Sequence, residues 1–457
     1  MPVKTKMKIG MALLMGLMVG SISAQDSASK KLTADEIFPT DRVLDVQITV
    51  DPMDWDTIRF QKRGFFEALK ESRRFAPPDH PYTYVEASVS IDGIEFPQVA
   101  IRKKGFIGSE NSTRPSLKIK LNHLDKEGQI DGLTNLTFNN NQQDESLISQ
   151  VMGYGLFRAT GSPVPRCAFA KLTVNGQNLG IYAHVERIHR PLLKRTFGND
   201  DGVLFEGTVV DFNPEWEESF EHKLGPEEVG RNKIRQLIEV LAKPDENIET
   251  AIGELVDLDS FYTFWAMESL ISFWDGYSGN RNNFFVYLNP ETDKFHFIPW
   301  GADSVFEKYS PIRNDRSDPV SVKTQGLIAY RLYQLESGRR RYEKTLRNII
   351  ERYWDKTALI AETERIEDLV KPYLAETTAS ELSKEAKGWI EWLRNTSTKE
   401  RAETLSSEEF KELPAETQKA IKALIITLTL MKKVSSSKRS VHHRLVSIGS
   451  FLYPEKE

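Results

Sequence analysis

Residues 272–287 read SFWDGYSGNRNNFFVY, and a little further on, residues 294–306 read KFHFIPWGADSVF. An aromatic, apolar chain breaks at Asp275, makes a mostly polar passage through Asn283, and returns to aromatics. Two readings fit. Asp-Gly and Asn-rich stretches make ordinary turns, because Asn and Asp side chains bond nearby backbone and Gly tolerates positive φ. Alternatively, the polar groups are needed where they stand. Asp275 and Asn280 keep the spacing Asp-x-x-x-x-Asn, which in phosphoryl transfer sets a carboxylate beside the attacking hydroxyl and an amide oxygen on a metal ion. A strand pair around PETD (290–293) follows, and Asp303 stands just beyond it, where a second metal-binding carboxylate belongs.

Upstream of this stretch the pattern favours strands. VLDVQITV (43–50) and SLKIKLNHL (116–124) alternate apolar and polar residues. Asp92-Gly93 and Asn175-Gly176 each lie between alternating runs and predict tight hairpins. One helix is expected over 144–160, with Asp144 as N-cap and Gly161 as stop. After about residue 188 the period changes. Helices are expected at 228–243 and 255–273, and amphipathic helices fill the chain from 323 to the end, with polar breaks at NTSTKE (395–400) and VSSSKRS (434–440). The fold class is therefore α+β in two lobes, a β-rich N-lobe and a helical C-lobe with extra C-terminal helices.

The first residues read as a separate element. Lys4, Lys6 and Lys8 precede an apolar run from Ile9 to Val19 and small residues ending at Ala24. This is a secretory signal pattern over residues 1–24, too short to span a bilayer comfortably. Residues 25–40 are polar and are expected to be a flexible lead-in. The expected destination is extracytoplasmic, with no transmembrane span in the mature chain. A net charge of −5 gives no support for nucleic-acid binding. Cys167 is the sole cysteine, so no intramolecular disulfide exists, and it reads as a small buried hydrophobe.

The longer motifs resemble the CotH kinase family, named for spore-coat protein H. The resemblance is carried by WDGYSGNRNNFFVY and KFHFIPWGADSVF, by RKKGFIGSENSTRPSLKIKL (102–121), and by LFRATGSPVPRCAFAKLTVNGQNLGIYAHVERI (156–188). It runs from about 42 to 355. It implies an atypical protein-kinase-like domain over 41–355, with an N-lobe to about 187 and a C-lobe from about 188, followed by a helical extension over 356–457. It also implies ATP and Mg²⁺ (or Mn²⁺) as cofactors and Ser/Thr of secreted or cell-surface proteins as acceptor. Asp275 would be the catalytic-loop carboxylate. Asn280 would be a metal ligand or would orient Asp275, and Asp303 would hold Mg²⁺. Lys118 would contact phosphate, with Lys120 two residues on along the same strand face as the alternative. Arg102 and the loop carrying Gly105, Gly108 and Ser109 would cover the phosphates, and Glu186 would lie near the nucleotide. Trp274 and Trp300 read as core residues.

Two positions depart from the family pattern. Many members read Pro-Trp-Asp-x-Asp where this chain has Pro299, Trp300, Gly301, Ala302 and Asp303. Gln150 stands where the helix after Asp144 should carry a Glu to pair with the strand lysine. Two other function classes remain open: a pseudokinase or surface-binding protein without transfer activity, and a transferase acting on a glycan or lipid headgroup.

Overall fold

A computed structural model describes residues 31–63, 71–105, 109–144, 146–244, 247–306 and 322–379. The signal-like segment, Gly108, Glu145 and the polar breaks at 395–400 and 434–440 lie outside the described residues. All elements below belong to the unit that begins at Leu32.

The strand pattern closes on itself. β1 (Leu44–Val50), β2 (Val85–Ile91), β3 (Ile94–Lys104), β4 (Ser116–Lys120), β5 (Asn135–Asn139), β6 (Cys167–Val174) and β7 (Gln177–Val185) form a closed barrel in the order β1-β2-β3-β4-β5-β7-β6. Neighbours are antiparallel except β1 and β6, which pair parallel with Leu44 opposite Ala170. Both foreseen hairpins form: φ is 47° and 80° at Asp92 and Gly93, and 48° and 80° at Asn175 and Gly176. Positive φ at both central residues gives the turn twist that matches strand twist. The Asn175 amide also accepts from the Val50 N–H and donates to the Val50 carbonyl, both at 2.9 Å, which ties that hairpin to β1. One set of alternating side chains, including Ile48, Ile101, Ile119, Leu136, Leu172 and Tyr182, fills a buried cluster. The intervening set on β3 and β4, which includes Arg102, Lys104 and Lys118, faces the other way.

α1 (Ala34–Ile37) and α2 (Pro52–Phe60) flank β1. α3 runs Ser149–Ala159, later than the sequence pattern suggests. Leu147 takes φ 62°, so the chain makes a polar turn before the helix starts. The N-cap is therefore Ile148 and not the expected Asp144, which lies one turn earlier and instead braces the turn, accepting the Ser146 hydroxyl at 2.6 Å and the Ser149 N–H at 2.9 Å. The stop at Gly161 forms with φ 80°.

Past α4 (Arg190–Phe197) comes a second sheet. It has four strands in the order β11-β10-β8-β9: β8 (Val203–Gly207), β9 (Glu221–Leu224), β10 (Phe284–Asn289) and β11 (Lys294–Pro299). The sequence pattern anticipates β10 and β11 but not β8 and β9, which are too short to show a period. α5 (Glu227–Leu241) and α7 (Leu258–Leu270) match the expected helices, with α6 (Ile248–Gly253) between them. α7 starts three residues late because Asp257 caps it, accepting the Ser260 N–H at 2.9 Å. α8 (Tyr277–Asn280) is a single turn, and α9 (Leu327–Gln334), α10 (Glu336–Tyr353) and α11 (Lys356–Ala379) complete the described chain. Trp265, Phe261, Phe264 and Phe297 centre the large core shared by α7 and the second sheet. No helix among the described residues is long and apolar enough to cross a membrane.

Candidate functional site

The polar stretch after α7 is pinned from below by one carboxylate. Glu268 is fully buried on α7. Its Oε1 accepts the Tyr277 N–H at 2.9 Å, and its Oε2 accepts the Ser278 N–H at 2.8 Å and the Ser278 hydroxyl. It thus satisfies the open N-terminus of α8. A Cβ at Gly276 would lie 2.2 Å from Glu268 Oε1, which explains why the residue after Asp275 is glycine. Burial pushes the Glu268 carboxyl up to about 7, against the opposing pull of those hydrogen bonds. Tyr277 is a buried strut: its hydroxyl donates to Asp211 at 3.1 Å and accepts the Ile328 N–H at 3.1 Å.

Above this support, three asparagines hold Asp275. Asn280 donates to its Oδ1 at 2.7 Å, Asn283 to its Oδ2 at 2.8 Å, and Asn282 to both oxygens at 3.1 and 3.2 Å. Arg281 and Asn283 adopt φ of 56° and 52°, which turns successive amides towards one carboxylate. Because the Asn280 nitrogen is committed to Asp275, any role on a metal ion falls to its carbonyl oxygen.

β10 and β11 carry the chain back. The Trp300 N–H donates to the Asn283 carbonyl at 3.0 Å, and Trp274 Nε1 donates to Ser304 Oγ at 2.9 Å. These bonds fasten the Asp275 loop to the Asp303 loop. Gly301 has φ 57°, and a Cβ there would lie 2.7 Å from Asn283 Oδ1. The missing acid therefore has a local cause: the asparagine that holds Asp275 occupies the space. Asp303 keeps some exposed surface but is enclosed by protein atoms. Burial raises its carboxyl to about 7, the Asp275 charge adds to this, and Lys104 opposes it.

Lys104 is the basic residue that the barrel brings to this pair. Burial lowers its ammonium to about 8, while Asp303 acts in the opposite sense. It donates to Asn139 Oδ1 and lies 5.9 Å from the centre of the Trp300 ring. Asn139 donates to Gln150 Oε1 at 2.6 Å, and Gln150 donates to Asn141 Oδ1 at 3.3 Å. Gln150 thus reaches a strand lysine through an amide relay, and that lysine is Lys104.

The other expected residues fall in several places. Lys118 sits opposite Arg102 in the β3–β4 register, on the same face as Lys104. Lys120 lies 5.8 Å from the Tyr84 ring. Gly105 has φ 127°, and its carbonyl accepts the Tyr82 hydroxyl at 3.2 Å. The Ser109 carbonyl accepts from Asn140 at 3.1 Å. Glu186 is buried, pairs with Arg195 at 2.6 Å and accepts the Arg166 N–H at 2.9 Å, so it ties the end of β7 to α4 and to the segment before β6. Trp274 is buried, as expected, whereas Trp300 is half-buried beside Lys104. Cys167 is buried and free.

Lys104, Asn282 and Asn283 lie inside motifs that the sequence reading quotes, yet it assigns them no role. For Lys104 the signal was present: it follows Arg102 by two residues on one strand face. For Glu268 the signal was a lone acid in the apolar run FYTFWAMESLISFW (261–274).

Among the described residues, no group of three or more His, Cys, Asp or Glu side chains could hold a metal ion by itself. Asp275, Asp303 and the Asn280 carbonyl nevertheless offer hard oxygen donors. Mg²⁺ characteristically takes one or two carboxylates and completes its shell with phosphate oxygens and water. The donor set fits a cation shared with a phosphate ligand.

A sheet-bearing site that pairs an amide-held carboxylate with a second buried carboxylate and a strand lysine has the ingredients of phosphoryl-transfer proteins. The family described as "CotH kinase protein" matches residues 101–408, more than half of the chain, and the protein belongs to the CotH kinase family. It is 26% identical over 263 residues to "Inner spore coat protein H" of Bacillus subtilis (strain 168), covering 53% of this chain and 71% of that one. It is 31% identical over 102 residues to "Inner spore coat protein H-like protein" of the same organism, covering 21% of this chain and 33% of that one.

Proposed function

We propose that the protein is an extracytoplasmic kinase that transfers the γ-phosphate of ATP to Ser or Thr hydroxyls of secreted or cell-surface proteins. The supporting observation is the Asp275–Asn280 hydrogen bond beside Asp303 and Lys104. A bound divalent ion would supply charge neutralisation on the phosphates. Asp303 and the Asn280 carbonyl would hold that ion. Asp275, fixed by three amides, would orient the acceptor hydroxyl and receive its proton. Lys104 would neutralise phosphate oxygens, with Lys118 and Arg102 beside it on the same strand face. The Gly105–Ser109 loop would close over the phosphates; its Gly108 lies outside the described residues. The atypical kinase fold, the domain limits at 41 and 355, and export directed by residues 1–24 are part of this reading.

The test is autophosphorylation with labelled ATP and Mg²⁺ or Mn²⁺. Transfer is expected from the native chain and not from Asp275→Ala or Asp303→Ala. Absence of any nucleotide-dependent shift in Tm with either metal would sink the reading. That outcome favours a pseudokinase or surface-binding protein, a reading supported by Gly301 and Gln150, where two acids of the family pattern are missing.

A further inference from the structure

The chain between α2 and β2 reaches across to the second sheet. Its 3₁₀ turn, Glu71–Arg74, packs against another 3₁₀ turn, Pro214–Ser219, which precedes β9. Arg73 is buried at this junction. Its guanidinium donates to the Ala76 carbonyl at 2.6 Å and to the Thr208 carbonyl, just past β8. Its own carbonyl accepts the hydroxyl of the buried Ser219.

The Thr208–Val209 peptide group makes a second bond on its other side. The Val209 N–H donates to Asn282 Oδ1 at 3.1 Å, and Asn282 Nδ2 donates to both oxygens of Asp275. One rigid plane thus carries the Arg73 bond on its oxygen and the Asn282 bond on its nitrogen. The Val210 N–H donates to the Arg281 carbonyl at 2.9 Å, so this strip runs alongside the Asp275 loop. Val209 holds φ at 49°, in the left-handed region, an outlier for a β-branched residue. Such a conformation persists where its surroundings over-determine it, and such sites cluster at functional centres. Bonds on both sides of one peptide supply that constraint.

We infer that Arg73 is a positioning residue for Asp275, acting through the Thr208–Val209 peptide and the Asn282 amide. Because the Val209 N–H claims the amide oxygen, the Asn282 NH₂ is left for the carboxylate. The cation at the far end polarises the chain of bonds in the same sense. Arg73 lies upstream of residues 101–408, so this support comes from outside the part matched to the family. Its effect on transfer rests on the proposed function; the coupling of Arg73 to Asn282 does not.

The experiment is a double-mutant cycle of Arg73→Gln and Asn282→Ala in the full chain, read by urea midpoint and by autophosphorylation with labelled ATP and Mg²⁺. In urea, the midpoint loss of the double variant should fall short of the sum of the single losses, because cutting either link frees the other. Arg74, exposed and paired with Glu215 at 3.2 Å, is the control: losses from Arg74→Gln and Asn282→Ala should add. In transfer, Arg73→Gln should lower the maximal rate about tenfold with half-saturation by ATP little changed, and Arg73→Lys should restore it to within a few-fold. After Asn282→Ala, adding Arg73→Gln should cost less than about twofold more. Additive midpoint losses, or a coupling as large for Arg74, overturn the inference. So does a transfer rate in Arg73→Gln equal to that in Arg74→Gln. Should Arg73→Gln not fold, Ser219→Ala, which removes only the bond to the Arg73 carbonyl, takes its place in the cycle. A native chain without transfer defeats the kinase reading and leaves the urea cycle to decide this one.

Discussion

The loop at Asp275 and the strand face at Lys118 are both charged walls of the same molecule, but their charges are treated in opposite ways. The Asp275 carboxylate receives hydrogen bonds from three asparagines, and the loop that carries it is held by the buried Glu268. The Lys118 and Arg187 side chains, both half-buried, lie in each other's positive field and donate no hydrogen bond to any described residue. A polar group whose partners are already in place is pre-organised, and moving it costs several bonds at once. A group without partners is poorly stabilised until a ligand arrives. The contrast separates a region built to hold geometry from one whose charges the described residues leave without hydrogen bonds.

The sharpest way to break the contrast is to loosen the rigid side. Glu268→Gln puts an NH₂ donor where backbone N–H donors converge. We expect a loss of about 1–3 kcal/mol in urea unfolding, the usual range for an unsatisfied buried group. If the proposed kinase reading holds, kcat should fall roughly tenfold with KM little changed, because Asp275 would be misplaced. A normal kcat would mean that Asp275 does not depend on this support. Next in size is Gly301→Asp, which restores the acid of the family pattern. Its Cβ would meet Asn283, so the expected result is about 1–2 kcal/mol lost and no gain in Mg²⁺ affinity. Tighter metal binding with unchanged stability would show that the loop has slack.

The smallest effect is a slope with pH. Asp303 is raised to about 7 in the folded protein, so between about pH 4 and 7 the native state keeps a proton that the unfolded chain has released. More protons on the native state means that the stability of the metal-free protein falls as pH rises through that window. Asp303→Asn should make this slope shallower in urea titrations at pH 5 and 7.5, with the raised Glu268 carboxyl supplying part of what remains. An unchanged slope would place the titration elsewhere.

Local signals in the sequence were read well. Asp-Gly and Asn-Gly announced both hairpins, since few dipeptides tolerate two successive positive φ values. The order strands, helix, hairpin, helices carried the α+β class, and Asp275, Asn280 and Asp303 could be singled out from spacing. Non-local facts stayed hidden. The parallel pairing of β1 with β6 depends on segments far apart in the chain, and β8 and β9 are too short to show a period. The sequence weighs Lys118 against Lys120, whereas the lysine whose field reaches Asp303 is Lys104, and strand alternation puts all three on one face. The glycine at 301 looked like a missing acid until Asn283 was seen to fill its space.

The β1–β6 seam also bears on where this protein can be cut. The family match begins at residue 101, inside β3, whereas the barrel needs β1 and β2 to close. A chain begun at that boundary would leave β6 and β3 as open edges, and unpaired strand edges invite association with other chains. Homology marks the part that is shared, and here it stops short of the part that folds. During synthesis the same seam makes β1 wait for β6, so the barrel remains unsealed until the Asn175 hairpin emerges and reaches back to Val50.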